Sequence, residues 1–287
     1  MDTSENVFTV TENDVSLPKR RIDAHKGDFG RVLIIAGSTC FTGAPSFASR
    51  AAVRSGAGLV HLGVPEAIYQ IEAVKNDEAM VFPLPCDGDG RITTASVKKI
   101  LSMLEKSTVC LIGPGLGLSR DVFDTVYEVI GSSRVPVLVD ADGITAVSRN
   151  IDVLDRASCP VILTPHEGEF LRLGGELSRL GRVDAARDFA VKHNAVLVLK
   201  GHETVSAFPD GSVYVNTTGN PGMAKGGSGD VLAGMTAALI AQLPDLKKAV
   251  TAAVYLHGKA GDVCCEKFGE YAMTPSDVID AISDVTR

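Results

Sequence analysis

Gly226-Gly227-Ser228-Gly229-Asp230, inside the stretch AKGGSGDVLAGM, sets glycines directly before a carboxylate at the head of an apolar segment. Glycines let successive main-chain N–H groups curl toward one point, and a helix starting there adds its positive end. Gly226, Gly227, Ser228 and Gly229 thus form a candidate anion hole. A loop that only held phosphate would have no use for a negative charge at its end. Asp230 reads in two ways: as a complement to the helix dipole, or as a general base taking the proton of a hydroxyl whose oxygen meets a phosphoryl group. The run matches neither common phosphate motif. Lys225 precedes the glycines and no Gly-Lys-Ser/Thr closes them, which excludes a P-loop, and Leu232 stands where a dinucleotide fingerprint needs its last glycine.

The other chemically capable residues sit in short loops: Gly37-Ser38, Gly113-Pro114-Gly115-Leu116-Gly117, Asp140-Ala141-Asp142-Gly143, Thr164-Pro165-His166-Glu167-Gly168-Glu169 and Lys200-Gly201-His202-Glu203-Thr204. Lys200 ends an apolar run, where its ammonium needs a nucleotide phosphate, a buried carboxylate or water. His166 has no Cys or second His at metal spacing and reads as a hydrogen-bonded structural residue as readily as a functional one. Glu169 either caps a helix or orients a Mg²⁺ through water, and Asp140 and Asp142 divide between capping and ion contact in the same way. Ala44, in Thr42-Gly43-Ala44-Pro45, and the glycines 115 and 117 either serve a helix start and a turn or let a ligand approach the main chain closely.

Each of these loops follows a β-branched run. Residues 31–36, 59–64, 108–112, 136–140, 161–164 and 195–200 read as strands, and 45–55, 95–105, 121–130 and 182–193 as helices. The alternation predicts an α/β three-layer sandwich, a mostly parallel central sheet with helices on both faces. Ligands of such sheets bind at the carboxyl ends of the strands, so the loops should line one cleft with residues 226–230. Residues 204–208 and 212–216 flank Pro209-Asp210-Gly211 as an antiparallel hairpin would. Residues 230–242 and 247–265, rich in Ala and apolar nearly all round, read as buried helices. A single domain over 1–287 is expected, with 1–14 as a flexible N-terminal extension.

Composition narrows the function classes. The formal net charge is −7 and Lys19-Arg20-Arg21 is the one tight basic cluster, which argues against a nucleic-acid partner. No apolar run reaches the roughly 18 residues of a membrane span, and the polar, acidic start MDTSENVFTVTEND lacks the pattern of a signal peptide, so a soluble, cytoplasmic protein is expected. The 6 cysteines are scattered with no C-x-x-C or Cys/His spacing and read as reduced thiols.

Taken in order, HKGDFGR, AGS, TGAP, AAVRSGAGLV, GPGLG, DAD, TPHEGEF, KG and AKGGSGDVLAGM resemble the ADP/ATP-dependent NAD(P)H-hydrate dehydratases over about residues 15–285. The loop at 226–230 alone belongs to the whole ribokinase-like superfamily; HKGDFG, TGAP and TPHEGEF carry the finer likeness. The resemblance implies a ribokinase-like fold and an enzyme that removes water from the S epimer of NADHX or NADPHX to restore NADH or NADPH. ADP, or else ATP, would be the co-substrate with Mg²⁺, and ADP would leave as AMP and phosphate. It implies Asp230 as the catalytic residue and Gly226, Gly227, Ser228 and Gly229 as the anion hole. Lys200, Gly201, His202, Glu203, Thr204 and Gly229 would meet the adenine nucleotide, while Ala44, Gly115, Gly117, His166 and Asp230 would meet the hydrate. Glu169 and Asp140 are the candidate metal ligands; His166 stands where related kinases carry Asn in an Asn-x-x-Glu pattern. The resemblance further implies a homo-oligomer, a tetramer in many relatives, with epimerase activity supplied by a separate protein. Two rival readings are a kinase of the same fold that phosphorylates a small thiazole or pyrimidine alcohol, and a non-catalytic adenylate-binding protein.

Overall fold

The structure, a computed structural model, describes residues 6–286. Its strands are β1 Val7–Thr9, β2 Arg31–Ile35, β3 Leu59–Pro65, β4 Met80–Leu84, β5 Val109–Ile112, β6 Val137–Val139, β7 Val161–Leu163, β8 Val196–Leu199, β9 Val205–Ala207 and β10 Val213–Val215. They form a 10-stranded sheet in the order β1-β10-β9-β8-β7-β6-β5-β2-β3-β4. From β2 to β8 every neighbouring pair is parallel, while β9 pairs antiparallel with both β8 and β10. The expected alternation and the hairpin are both present.

The helices are α1 Gly43–Arg54, α2 Tyr69–Lys75, α3 Val97–Leu104, α4 Arg120–Ser132, α5 Asp142–Arg149, α6 Glu167–Arg172, α7 Leu177–His193, α8 Ser228–Gln242, α9 Leu246–Ala272 and α10 Pro275–Val285. α7 breaks at Gly181, whose φ is 73°, so its regular part is the segment from 182 onward that the sequence pattern predicts. α9 breaks likewise at Gly269. No helix among the described residues is long and apolar enough to cross a membrane.

Two strands depart from the sequence pattern. Residues 7–9, expected within a flexible extension, form the edge strand β1: Val7 registers with Val213, and Phe8 stacks on Tyr214 at 5.1 Å. Residues 1–5 of that extension lie outside the described residues. β4 contains Pro83, which lacks a ladder donor and is tolerated because β4 is the opposite edge of the sheet.

Period-two alternation divides the core. On β2, Val32 and Ile34 face one buried cluster, shared with α1, α8, α9 and α10, and Leu33 and Ile35 face the other, shared with α3, α4, α5 and α7. α8 is apolar all round because it is covered all round: every residue from Val231 to Ile240 is buried. It packs on α1 through main chain, since a Cβ at Gly234 would lie 2.1 Å from the Ala48 carbonyl oxygen. Capping fixes the neighbouring helices: the Asp245 side chain accepts from Lys247 N at 3.0 Å at the start of α9, and Thr274 with Asp277 forms a capping box on α10.

Gly234→Ala should therefore separate α1 from α8 and cost about 1–3 kcal/mol, the usual range for overpacking. Urea unfolding should show a lower midpoint at unchanged slope, and an unchanged midpoint would refute this account of the contact.

Candidate active site

The glycine-rich loop is shaped by its own main chain. Lys225 N donates to Met223 O at 2.8 Å and Ser228 N to Lys225 O at 3.2 Å, folding the chain back before α8 begins. Gly227, at the N-cap of α8, has φ 102°, where an L side chain is strained, and a Cβ there would meet the Phe47 ring at 2.7 Å. Gly226 faces open space, with nothing within 4 Å of its Cβ direction. Because Ser228 N is already bonded, the amides left for an anion are those of Gly226, Gly227 and the first helical turn, Gly229 and Asp230; Ser228 can offer only its hydroxyl.

Lys225 sends its ammonium away from the loop, to Tyr271 O at 2.7 Å and Met273 O at 2.5 Å, and so ties the loop to the junction of α9 and α10. Nothing in its position before the glycines points to this role, because the carbonyls it needs lie more than forty residues on. Behind the loop, burial pushes the α9 residue His257 down to about 4, with Lys200 adding to the effect against a hydrogen bond to the Ser228 main chain, and the ring stays neutral at pH 7.

Lys200 follows β8, and its main-chain N donates to Pro165 O at 2.8 Å. Its ammonium lies 2.8 Å from Asp140 Oδ1 and 3.9 Å from Glu169 Oε2, and a Cβ on Gly229 would be 3.4 Å from it. Of the partners open to it in sequence, the structure provides buried carboxylates. Burial alone would depress the Lys200 pKa, but Asp140 and Glu169, with a smaller contribution from Asp230, outweigh it and raise it. Asp140 is only 1% exposed and also accepts from Thr164 Oγ1 at 2.7 Å. For Asp230, in the first turn of α8, burial and then the charge of Asp140 push the carboxyl up to about 7, against the pull of Lys200 and with a further push from Asp142. A carboxylate with that value can hold or release a proton near neutral pH, which is what a general base requires.

Asp142, in sequence a cap or an ion contact, has a third use. Its Oδ2 accepts from Gly117 N at 2.8 Å, and burial raises its pKa. The residue before it, Ala141, has φ 50° and ψ −116°, a strained conformation for a side-chain-bearing residue, and it is the turn that connects Asp140 to Asp142.

Three of the residues assigned to a hydrate, Ala44, Gly115 and Gly117, meet around residues 113–117. Gly37 N donates to Pro114 O at 2.8 Å and Ser38 Oγ to Gly115 O at 2.8 Å. A Cβ on Gly115 would come within 3.1 Å of Ala44 Cβ. Ala44, Gly115 and Gly117 are thus brought together. His166 serves the local fold. Its Nδ1 accepts from Gly168 N at 3.0 Å and Glu169 N at 3.3 Å, while its own N donates to Glu169 Oε2 at 2.8 Å, a reciprocal cap on α6. Its Nε2, 3.7 Å from Glu169 Oε1, stands at the exposed side of that cap.

Along residues 201–204, Gly201 N donates to Thr204 Oγ1 at 3.3 Å, and the hydroxyl returns a bond to Gly201 O at 2.9 Å. Glu203 takes φ 52°, and the side chains of His202 and Glu203 are exposed and make no hydrogen bond or ion pair to the Lys200 cluster among the described residues. Arg182, in sequence an ordinary helix residue, supports this loop from below by donating to Leu199 O at 3.1 Å and pairing with Glu167.

Asp140 and Glu169 do not fit a dedicated Mg²⁺ site. Both face the Lys200 ammonium, and no group of three or more His, Cys, Asp or Glu residues among the described residues could hold a metal. A separate cavity of about 740 Å³ lies at the amino ends of β7 and β8, between Val161, Val196, Phe208 and Leu246. It is remote from this chemistry, and the charges facing it include the mutually paired Asp210 and Lys247.

A carboxylate poised near neutrality, open glycine amides at a helix start, and small residues at the carboxyl edge sit on an α/β protein of the ribokinase-like type. Residues 32–284 match the family model described as NAD(P)H-hydrate dehydratase, and the chain belongs to that family. It is 34% identical over 288 residues to the ADP-dependent (S)-NAD(P)H-hydrate dehydratase of Bacillus subtilis, covering 98% of this chain and 99% of that protein. The crystal structure of the ADP/ATP-dependent NAD(P)H-hydrate dehydratase of B. subtilis, co-crystallised with ATP/Mg²⁺, superposes with a TM-score of 0.83 at 32% identity over 98% of both chains. The bifunctional NAD(P)H-hydrate repair enzyme of Thermofilum pendens is 39% identical over 280 residues, 96% of this chain but 53% of that protein. The chain thus spans about half the length of such bifunctional relatives.

Burial of Asp230 has a consequence independent of any substrate. Its folded pKa is raised from an ordinary 3.8 to about 7, so the native state keeps a proton that the unfolded chain releases in that window. The stability contributed is complete below the lower value and is lost as pH rises through the upper one. Relative to Asp230→Asn, the unaltered protein should lose up to about 4 kcal/mol between about pH 4 and pH 8. Urea midpoints across this range should diverge, and parallel curves would mean that the carboxyl titrates normally.

Proposed function

We propose that this chain dehydrates the S epimer of NADHX or NADPHX with ADP as co-substrate, giving NADH or NADPH, AMP and phosphate. The observation that carries the reading is Asp230, raised to about 7, at the start of α8 beside the open amides of Gly226, Gly227 and Gly229. A ring hydroxyl is a poor leaving group; as a phosphate ester it becomes a good one.

In the first step Asp230 takes the hydroxyl proton while the oxygen attacks the terminal phosphorus of ADP. The bond between that phosphorus and the bridging oxygen breaks, and AMP leaves. The glycine amides face the charge that gathers on the transferring group. In the second step the C–O bond breaks with its electron pair going to phosphate, the neighbouring C–H pair forms the ring double bond, and a proton is released. Protonated Asp230 can give its own proton to the departing phosphate, which resets it as a base. Lys200 to Thr204 and Gly229 would bind the nucleotide, and Ala44, Gly115, Gly117 and the exposed side of His166 the hydrate. Mg²⁺ would have to arrive on the nucleotide phosphates, since Lys200 holds both carboxylates.

Incubation with NADHX, Mg²⁺ and either ADP or ATP should return NADH absorbance with ADP, with one AMP formed per NADH. Asp230→Asn should lower turnover about 10²–10⁴-fold while ADP affinity, measured by calorimetry, is kept. A stable phosphorylated product without NADH would favour the small-alcohol kinase, and nucleotide binding without turnover a non-catalytic adenylate-binding protein.

A further inference from the structure

Phe41 presents a large apolar side chain to solvent at the rim of the site. It is 54% exposed, yet the segment that carries it is held firmly. Phe41 N donates to Ser38 O at 2.9 Å, closing a turn after β2. Ser38 Oγ holds Gly115 O at 2.8 Å, and on the other side Lys75 Nζ donates to Thr42 O at 2.9 Å. Lys75 is itself paired with Glu72, a fully buried carboxylate. An aromatic ring on a fixed support beside the residues assigned to the substrate can meet a ligand without first being ordered.

What lies beside it gives the chemistry of that partner. A Cβ on Gly115 would come within 2.8 Å of Phe41 Cβ and 3.1 Å of Ala44 Cβ, so the base of the Phe41 side chain packs beside two small residues assigned to the substrate. Leu118, 48% exposed, continues the apolar rim beyond Gly117. Arg91, the cation at this rim, pairs with both Asp87 and Asp89 and donates to Leu118 O at 3.2 Å. Its charge is compensated, so this part of the site does not favour a phosphate. A flat, uncharged ring suits this rim better than a phosphate, because its face can lie against Phe41, and Gly117 on the same rim is bonded to Asp142.

We propose that Phe41 is a specificity-determining residue that stacks on the reduced pyridine ring of the substrate and turns its hydroxyl-bearing carbon toward Asp230. The proposal rests on the dehydratase reading of the site and adds to it the group that selects the ring. Phe41→Ala should raise KM for NADHX about tenfold and leave KM for ADP within about twofold, whereas Phe41→Tyr and Phe41→Trp should restore the value for NADHX.

The chain has 0 tryptophans, which gives a direct reading of proximity. In Phe41→Trp the single indole should be quenched saturably by the product NADH, whose absorption overlaps indole emission. Val191→Trp, at an exposed position on α7, should show only the linear loss due to absorbance. An unchanged KM for NADHX in Phe41→Ala, or a linear response in Phe41→Trp, would overturn the proposal while NADH return by the unaltered protein leaves the dehydratase reading standing. Absence of NADH return by the unaltered protein with either nucleotide would instead overturn the reading beneath it, even if the indole is quenched.

Discussion

Carboxylates buried at the carboxyl edge of a parallel sheet need a cation among them, and Lys200 is that cation. Its ammonium touches Asp140, stands within 4 Å of Glu169, and opposes the upward push on Asp230. Each of these residues comes from a different element: the ends of β6 and β8 and the starts of α6 and α8. The ion pair is therefore also a joint that sets the relative position of four chain segments. Removing one partner of a buried pair leaves an uncompensated charge and typically costs about 3–5 kcal/mol, far more than the intact pair contributes. The arrangement is thus better understood as a constraint on geometry than as a source of stability, and the geometry it constrains is that of the base and the open amides.

Asp230, the proposed base, is held as firmly as the lysine. Asp230 opens a helix whose following residues, Val231 to Ile240, are all buried, and whose approach to α1 is set by main-chain contact at Gly234. With the helix fixed, the partial burial of this carboxylate is expressed as a raised pKa. Lys225 and the turn at Gly227 fix the loop before it. Preorganisation of this kind is what allows amides to stabilise charge at a transferring phosphoryl group without rearranging.

Much of this is legible in the sequence, and the parts that are not have physical reasons. The alternation of strands and helices, the hairpin about residues 209–211, and the gathering of glycine and polar loops at one edge follow from local pattern, and the structure contains them. β1 has three residues and finds its partner about two hundred positions away, so no local pattern could reveal it. β4 is hidden by Pro83, which argues against a strand unless the edge position is known. α10 has a readable signal in Thr274-Pro275-Ser276-Asp277, a capping box with proline at the first helical position. For the site, residue types point to Asp230 and the glycines. What Lys200, Asp142 and Lys225 each bond to is decided by long-range packing. In sequence Lys200 stands open between phosphate and carboxylate, and only the proximity of Asp140 across the sheet closes that choice.

The division of labour within the site follows from the chemistry. Phosphorylating a hydroxyl requires a base, a place for the transferring charge and a bound donor, and these requirements are the same whether the alcohol keeps the phosphate or loses it. A dehydratase and a small-alcohol kinase can therefore share the loop at 226–230 without contradiction. The difference arises in the substrate, because only a ring whose nitrogen lone pair is conjugated toward the ester carbon will expel phosphate and regain its double bond. Discrimination then falls to the residues that choose the ring rather than to those that activate the oxygen. The residues proposed here to choose the ring, Phe41 to Ala44 and Gly113 to Leu118, lie apart from the loop at 226–230, joined to each other by Ser38 and to the carboxylates by Asp142. On that proposal the rim can vary while the loop at 226–230 stays intact, and the rim is the part of the structure that would give this fold a particular substrate.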